Sequence, residues 1–391
     1  MPCFYVRNLS MSLPLQRFCL FILCFAFASL AQAQSQPAAP VLAAKAWVLV
    51  EFGSGQELAA HNPEEKLEPA SLTKLMTAYL TFSALHQKKL ALTDEVTVSE
   101  KAWRTGGSRM FIRVGTKVQI EDLIRGMVVH SGNDASVALA EAVAGDEATF
   151  ADMMNREAAR LGMKATHFKN ATGLPDPEHR STARDLALLA SALIRDFPEE
   201  YARYYSLKEF RYGNMKPQQN RNRLLWTDSS VDGVKTGSTE AAGFCLIASA
   251  QRQGRRLLSV VLGASSDPIR AQESLKLLNW GYQWRDAIRL YTAGEAVSNF
   301  KVWKGSASTV PVGFSRDFIV SVPKGQSDKL KAELVSRQPL IAPVHQGETI
   351  GTLRLTLEGN PYGEFPVVAL QEVTIGNWFR RLIDTIRLWF A

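Results

Sequence analysis

The chain has 391 residues, too many for one ordinary domain, so two or three domains are expected. Its composition, 46% hydrophobic and 21% charged, is that of a folded protein and argues against a largely disordered chain. The net charge of +7 suits an anionic surface such as a membrane or a polymer. No basic stripe interleaved with aromatic residues indicates nucleic-acid binding.

The amino-terminal segment, residues 1–33, has the pattern of a secretory signal peptide. Arg7 and Arg17 precede an apolar run over 18–30, and Ala31-Gln32-Ala33 matches an A-x-A cleavage site. A transmembrane anchor is the weaker alternative, because a membrane span needs about 20 apolar residues. We expect export and cleavage after Ala33, which leaves a net charge of 7 − 2 = +5.

Three of the four cysteines lie in the predicted signal peptide, so the mature chain keeps Cys245 alone. A single cysteine excludes an intramolecular disulfide. Because its neighbours are apolar, Cys245 is predicted to be a buried structural thiol rather than a nucleophile.

Residues 34–291 are predicted to alternate between strands and helices. The predicted elements, in chain order, are a strand over 46–52, a Gly-Ser-Gly turn, a strand around Leu58, a largely helical region from Ser71 to Phe197, strands over 244–250 and 257–262 joined by a hairpin at 252–254, and a helix with Asp267 as N-cap and Pro268 in its first turn. This order predicts an α+β fold in which helices pack on one antiparallel sheet.

Residues 292–374 have the pattern of a small all-β domain. Residues 352–357 alternate with period two, a turn follows at 359–361, and another strand is predicted over 365–370.

The last segment, 375–391, predicts an amphipathic helix. Its apolar side comprises Phe379, Leu382, Ile383, Ile386, Trp389 and Phe390, and its polar side comprises Arg380, Arg381, Asp384 and Arg387. Such a helix is too short to span a bilayer but suits its interface, with tryptophan as an anchor and arginine facing the headgroups. The alternatives are packing on its own β domain and a dimer contact.

Three short motifs could carry chemistry: Ser71-x-x-Lys74, Ser131-Gly132-Asn133 and Lys235-Thr236-Gly237. Each is weak alone, but they fall at a helix start, a helix entry and a strand, so they can converge. A serine nucleophile needs an adjacent base, and Lys74 is one helical turn from Ser71. Burial and a second cation, for which Lys235 is the candidate, would lower the lysine pKa from about 10.4. The alternative is Ser71 as a helix cap with Lys74 extended into water.

Other catalytic schemes lack their signatures. The chain has no G-x-S-x-G elbow, no H-E-x-x-H helix and no phosphate-binding glycine loop, so neither a metal nor another cofactor is expected. The six histidines are scattered, and His130 is expected to fill a pocket at a helix entry rather than take a proton.

The ordered set S-L-T-K, S-G-N and K-T-G resembles the low-molecular-mass penicillin-binding proteins that are D-alanyl-D-alanine carboxypeptidases. Longer stretches match too, among them "PASLTKLMTAYL", "LIRGMVVHSGNDASVALAE", "STARDLALLA" and "NRNRLLWTDSSVDGVKTGSTEAAGF". The resemblance covers essentially the whole mature chain. It implies a β-lactamase/transpeptidase-like peptidase domain over 34–291, a β-rich domain over 292–374 and a membrane-associating helix over 375–391.

The resemblance also implies three catalytic residues. Ser71 would attack the carbonyl between the two terminal D-alanines and form an acyl-enzyme, Lys74 would be its base, and Ser131 would relay a proton to the leaving D-alanine.

Five further residues would bind the substrate by the same resemblance. Asn133 would hold the substrate amide and help orient Lys74, and Lys235 with Thr236 would bind the terminal carboxylate. Gly237 would keep the strand open for the substrate backbone. The N–H group of Ser238 would complete an oxyanion hole with that of Ser71.

Two features depart from relatives. The family members with the most similar motifs carry histidine after K-T-G, whereas this chain has Ser238, whose backbone donor survives the change. Residues 173–180 lack a recognisable deacylating glutamate, so Glu178 is expected to be a solvated loop charge and release of β-lactams to be slow.

The implied function is a periplasmic D,D-carboxypeptidase, attached to the outer face of the inner membrane through the terminal helix. It would remove D-alanine from peptidoglycan stem pentapeptides and be acylated by β-lactams, and nucleic acid is not an expected partner. The alternatives are a D,D-endopeptidase or β-lactamase on the same scaffold, and a non-catalytic cell-wall scaffold.

Overall fold

The computed structural model describes residues 38–389, so the predicted signal peptide and its cleavage site lie outside the described residues. Up to residue 284 the elements, in chain order, are β1 (Ala46–Glu51), β2 (Glu57–His61), α1 (Lys74–His86), β3 (Glu95–Thr97), α2 (Glu100–Arg104), β4 (Lys117–Gln119), α3 (Ile120–Val129), α4 (Asn133–Ala144), α5 (Glu147–Leu161), α6 (Ala183–Asp196), α7 (Pro198–Tyr204), β5 (Glu209–Phe210), β6 (Gln218–Gln219), α8 (Leu224–Thr227), β7 (Val231–Thr239), β8 (Gly243–Arg252), β9 (Arg255–Ala264) and α9 (Asp267–Trp284).

A five-stranded antiparallel sheet, in the order β2-β1-β9-β8-β7, organises this part of the chain. The alternation along β1 sends Val48 and Val50 into the core shared with the helical region, and Trp47 and Leu49 into the core shared with α9. Both faces of the sheet are therefore covered, and the predicted α+β architecture is confirmed. Strand β7 is an edge strand and faces the start of α1.

The predicted hairpin between β8 and β9 is confirmed. Its two loop residues, Gln253 and Gly254, have φ of +50° and +79°, as a tight turn between twisted antiparallel strands requires. The predicted cap of α9 is wrong by one residue: Ser266 is the N-cap, and its side chain accepts from the Ile269 N–H. The Asp267 carboxylate instead pairs with Arg223 at 2.5 Å.

The remaining elements form the carboxyl-terminal β region. They are β10 (Arg285–Tyr291), β11 (Ala296–Trp303), β12 (Thr309–Gly313), β13 (Phe318–Pro323), β14 (Leu330–Ser336), β15 (Leu340–Ile341), β16 (Thr349–Leu357), β17 (Asn360–Ala369) and α10 (Trp378–Leu388). A six-stranded sheet has the order β14-β16-β17-β12-β11-β15, and β10 pairs with β13. The predicted all-β character is confirmed. Strand β10 precedes the expected boundary at residue 291, yet its hydrogen bonds are to this region.

The turn predicted at 359–361 is displaced. Glu358 and Gly359, with φ of +52° and +83°, form the two-residue turn between β16 and β17, so Asn360 and Pro361 already belong to β17. In this left-handed conformation the Glu358 carboxylate pairs with Lys329 at 2.5 Å.

A buried arginine joins the two parts of the chain. Arg255 donates to the Glu51 carboxylate at 2.7 Å, to the Ser321 hydroxyl at 2.7 Å and to the Arg285 carbonyl at 2.9 Å. Because Ser321 and Arg285 lie in the β region, these bonds connect its first strands to the central sheet.

The predicted terminal helix is present as α10, and its polar side contacts the β region. The Lys304 N–H donates to the Asp384 carboxylate at 2.7 Å, and Arg380 donates to the Ser306 carbonyl at 3.0 Å. The apolar side is left in solvent: Trp378 is 73% and Trp389 80% exposed. Within residues 38–389, no helix is both long and apolar enough to cross a membrane.

Candidate active site

Ser71 lies in a single 3₁₀ turn, Ala70–Thr73, and α1 begins at Lys74 rather than at Ser71 as predicted. Neither Ser71 nor another residue of this turn caps α1 with its side chain. The Lys74 amine instead donates to the Ser71 hydroxyl at 3.0 Å, and Lys74 is only 1% exposed. The alternative of a capping serine beside a solvated lysine is therefore wrong.

The Lys74 amine has three hydrogen-bond acceptors. Besides Ser71, these are the Asn133 side-chain oxygen and the Thr172 carbonyl, both at 2.6 Å. Burial lowers the pKa of Lys74 to about 7, and the positive charge of Arg221 adds to this effect, while Asp134 opposes it. A lysine with this pKa is partly neutral at neutral pH, so it can accept a proton from the adjacent hydroxyl.

The second motif, Ser131-Gly132-Asn133, leads into the first turn of α4. Ser131 has a φ of +59°, and its hydroxyl accepts a hydrogen bond from the Lys235 amine at 3.0 Å. Asn133 accepts from Lys74 and donates to the Gly106 carbonyl at 2.7 Å, which fixes the orientation of its side chain. The motif therefore contacts both of the other motifs.

The third motif lies on the edge strand β7, directly against the turn that carries Ser71. A Cβ atom at Gly237 would lie 3.1 Å from the Ser71 backbone nitrogen and 3.1 Å from the Pro69 carbonyl oxygen. Glycine is needed here because the strand approaches the turn closely. Thr236 is buried, whereas Ser238 is exposed at the mouth of the site.

Lys235 is the second buried amine of the site. Burial lowers its pKa well below the ordinary value, and repulsion from Lys74, Arg221 and Arg270 lowers it further. The second cation that lowers the pKa of Lys74 is thus Arg221 rather than Lys235 as predicted, and the repulsion between the two lysines lowers the pKa of Lys235 instead. A bound carboxylate would offset this repulsion and raise the pKa of Lys235 again.

A loop over 170–180 covers the site and was missed by the sequence analysis except for Glu178. Besides the Thr172 carbonyl, it contributes His179, whose Nε2 lies 2.8 Å from the Thr73 hydroxyl and whose Nδ1 accepts from the Lys169 N–H at 3.2 Å. Burial lowers the pKa of His179 to about 4. Glu178 pairs with Lys169 at 2.9 Å in solvent, as a loop charge.

Two other expectations concern residues outside the chemistry. His130 is buried and its Nε2 lies 2.9 Å from the Phe210 carbonyl, so it occupies a helix-entry pocket as expected. Cys245 is buried, and burial raises its pKa to about 11, as expected for a structural thiol. In the described part of the chain, no three of the histidine, cysteine and acidic side chains are grouped to hold a metal ion.

The sequence analysis did not single out Arg221, Asp134 or Thr172. Arg221 donates to the Ser108 hydroxyl at 2.9 Å, across the opening of the site. Asp134 is buried and accepts from the N–H groups of Met110, Phe111 and Ile112 at 2.8–3.2 Å. Asp134 directly follows the S-G-N motif, which was the available signal, whereas Thr172 acts through a backbone carbonyl that any residue supplies.

Comparison with known proteins gives a consistent result. A family described as D-alanyl-D-alanine carboxypeptidase matches residues 31–266, and one described as penicillin-binding protein 5, C-terminal domain, matches residues 286–374. The chain is similar to the D-alanyl-D-alanine carboxypeptidase DacC of Escherichia coli, with 43% identity over 375 residues that cover 94% of this chain and 93% of the relative. It is 39% identical over 382 residues to DacA of the same organism, covering 94% of each chain.

Solved structures agree with these relatives. Penicillin binding protein 5 from Haemophilus influenzae matches with a TM-score of 0.76 and 39% identity, covering 86% of this chain and 99% of that one. Penicillin-binding protein D2 from Listeria monocytogenes, in its ampicillin-bound form, matches with a TM-score of 0.57 and 31% identity, covering 62% of this chain and 98% of that one.

Proposed function

The chain belongs to the D-alanyl-D-alanine carboxypeptidase family, and from this premise we propose that Ser71 is the nucleophile with which it removes the terminal D-alanine from peptidoglycan stem pentapeptides. The enzyme is a serine hydrolase that acts on peptidoglycan and is acylated by β-lactams. The observation that carries the assignment of Ser71 is its contact with Lys74, a buried amine with a lowered pKa.

The proposed first step forms the acyl-enzyme. The Ser71 hydroxyl attacks the carbonyl between the two D-alanines while its proton passes to the neutral Lys74 amine. The C–N bond then breaks, and the proton that Lys74 accepted passes through the Ser131 hydroxyl, which Lys235 contacts, to the leaving D-alanine amine, so that Lys74 is neutral again. In the second step water attacks the ester and gives a proton to Lys74, the C–O bond to Ser71 breaks, and Lys74 returns the proton to the Ser71 oxygen.

Positively charged side chains and backbone donors would hold the substrate. Lys235 and Thr236 are proposed to bind the terminal carboxylate, and Asn133 the amide of the preceding residue. The N–H groups of Ser71 and Ser238 are proposed to stabilise the oxyanion, and one such donor is typically worth about 3 to 4 kcal/mol. Gly237 supports this role by letting β7 approach the Ser71 turn.

We further propose that the enzyme is exported to the periplasm with residues 1–33 as signal peptide, and that α10 attaches it to the outer face of the inner membrane. The exposed apolar side of α10 supports this, because its polar side is already used by the β region. The division into a peptidase domain over 34–291, a β domain over 292–374 and the helix is part of the same proposal. The β domain would hold the active site away from the membrane.

The decisive experiment is the intact mass of the mature protein after incubation with a penicillin, followed by peptide mapping. We expect one stable adduct on Ser71, because the Glu178 carboxylate is solvated and paired with Lys169. An adduct on another residue would refute the assignment of Ser71. Absence of any adduct with the drug hydrolysed would favour a β-lactamase, and with the drug intact a non-catalytic scaffold.

A further inference from the structure

A second groove opens beside the catalytic motifs. It has a volume of about 670 Å³ and is lined by side chains from two segments, 103–116 and 212–215; we call it the aromatic groove. Trp103 is 40% and Phe111 54% exposed at its edge. Ligand sites of this size combine aromatic surface with a few polar groups, and large exposed aromatic side chains beside a concavity mark a binding surface.

The backbone holds the Phe111 ring in this exposed position at some cost. Phe111 has a φ of +66°, a left-handed conformation that bulky residues rarely adopt. Its N–H donates to the Asp134 carboxylate at 2.8 Å, and this bond helps to impose the conformation. Because a ring that is 54% exposed gains little packing energy to offset such strain, a role in binding is the better explanation.

The segment that lines the aromatic groove is bonded to the peptidase site. Asn133, which contacts Lys74, donates to the Gly106 carbonyl, and Trp103 and Arg109 are each three residues from Gly106. Three residues span at most about 11 Å, so the groove begins close to the catalytic groups. Asp134, the neighbour of Asn133, accepts from the Phe111 N–H and so anchors a second point of the segment 103–116.

We propose that the aromatic groove binds the sugar chain of peptidoglycan while the stem peptide occupies the catalytic site. This inference rests on the proposed function. The four residues between the scissile bond and the sugar span about 14 Å when extended, so the sugar that carries the stem must lie near the mouth of the site. The aromatic groove lies within that reach and presents two exposed aromatic rings, Trp103 and Phe111.

The chemistry of the groove matches N-acetylated sugars. The apolar faces of the sugar rings pack against Trp103 and Phe111, as amphipathic ligands do on exposed aromatic side chains. Arg109, Arg113 and Asn214 line the same groove and can donate hydrogen bonds to acetamido oxygens and hydroxyl groups. The enzyme would thus select stem peptides that are still attached to the glycan.

The test measures sugar binding with the peptide site blocked. The mature protein is first acylated with penicillin, and an uncharged hexamer of β-1,4-linked N-acetylglucosamine is titrated into it by calorimetry. We expect binding by the parent protein and at least about tenfold weaker binding by Trp103→Ala and by Phe111→Asn, equivalent to about 1.4 kcal/mol or more. Asparagine accepts the left-handed backbone, so Phe111→Asn keeps the fold.

Trp378→Ala is the matched control, because Trp378 is 73% exposed on α10 and does not line the aromatic groove. It should bind the hexamer like the parent. In kinetics, Phe111→Asn should release D-alanine from isolated cell-wall sacculi about tenfold more slowly while hydrolysing a soluble acylated D-Ala-D-Ala peptide at the parent rate.

The inference is overturned if the acylated parent does not bind the hexamer, or if Trp378→Ala weakens binding as much as the groove variants do. Equal losses on sacculi and soluble peptide would also overturn it. Failure of the proposed function is a separate result, since it would appear as an absent penicillin adduct, and sugar binding can then be measured on the untreated protein.

Discussion

Helices α1 and α10 depart in opposite directions from the usual distribution of residues between core and surface. Helix α1 begins with a lysine that is 1% exposed, followed by Leu75 and Met76, which are fully buried. Helix α10 places Trp378 and Trp389 in solvent and buries Asp384, which is 8% exposed. A buried amine destabilises the fold unless it is hydrogen-bonded, and an exposed apolar side favours association. Each departure therefore supports one of the proposals: catalysis at α1 and membrane attachment through α10.

The two departures are compensated differently. Lys74 has three oxygen acceptors, one of them the Ser71 hydroxyl on which it is proposed to act. The apolar side of α10 has no comparable cover among the described residues, because the contacts of this helix with the β region run through Asp384 and Arg380. The proposed site at α1 is thus assembled within one chain, whereas the proposed role of α10 depends on another surface.

The largest expected effect comes from replacing the buried amine of α1 with an apolar side chain. Lys74→Met removes the base but keeps an apolar stem, and we expect D-alanine release from a soluble peptide to fall about 10³- to 10⁴-fold. Lys66→Met, at an exposed lysine, is the control and should retain the parent rate. A loss of less than tenfold in Lys74→Met would exclude Lys74 as the base.

The same variant tests the burial of the charge. Because the pKa of Lys74 is about 7 in the folded protein and ordinary in the unfolded chain, the unfolded chain binds more protons between pH 7 and 10. Its contribution therefore makes the free energy of unfolding rise with pH in this window. Between pH 7 and 9, Lys74→Met should gain less stability than the parent protein in urea titrations. A gain equal to that of the parent would show that Lys74 is not desolvated.

The next largest effect is expected from placing charged side chains on the exposed apolar side of α10. The double substitution Leu382→Glu and Ile386→Glu places two carboxylates on the exposed side, and we expect binding to vesicles with anionic lipids to weaken at least about 100-fold, as sedimentation would show. The rate on a soluble peptide should not change. Ile341→Glu, at an exposed apolar residue of β15, is the control and should sediment like the parent. A parent that does not sediment but is dimeric in light scattering would favour the dimer contact instead.

A smaller effect should follow from loosening the loop over 170–180. His179→Ala removes the bond to the Thr73 hydroxyl, so water should reach Lys74, raise its pKa and reduce the rate at pH 7 about tenfold. The acidic limb of the kcat/KM profile should move to higher pH. His179→Gln can both donate to Thr73 and accept from the Lys169 N–H, and should restore the parent profile. His167→Ala, at an exposed histidine, is the control; a rate loss in His179→Ala without movement of the limb would assign His179 a structural role only.

The sequence was enough to place the three motifs. Spacing of three residues puts Ser71 and Lys74 on the same helical face, and the strand pattern identified β7. It could not supply the contacts that complete the site. The Thr172 carbonyl is a backbone group, and the Thr73–His179 bond joins residues 106 positions apart. The sequence placed Asp384 on the polar side of the terminal helix, and only the structure shows that it is buried against Lys304. Periodicity distinguishes a polar side from an apolar one but does not show which side packs.

The smallest expected effect comes from removing the charge of Arg221, which together with burial lowers the pKa of Lys74. Arg221→Gln keeps a donor for the Ser108 hydroxyl but removes the charge, so the pKa of Lys74 should rise and the acidic limb of kcat/KM should move up by of the order of one pH unit. The rate should fall several-fold at pH 6.5 and recover above pH 8, where Lys74 is neutral in both proteins. Arg223→Gln is the matched control, because Arg223 is two residues away and already paired with Asp267. If both variants lose activity equally at every pH, the arginines bind substrate rather than adjust Lys74, and burial in α1 is then sufficient by itself to make the lysine a base.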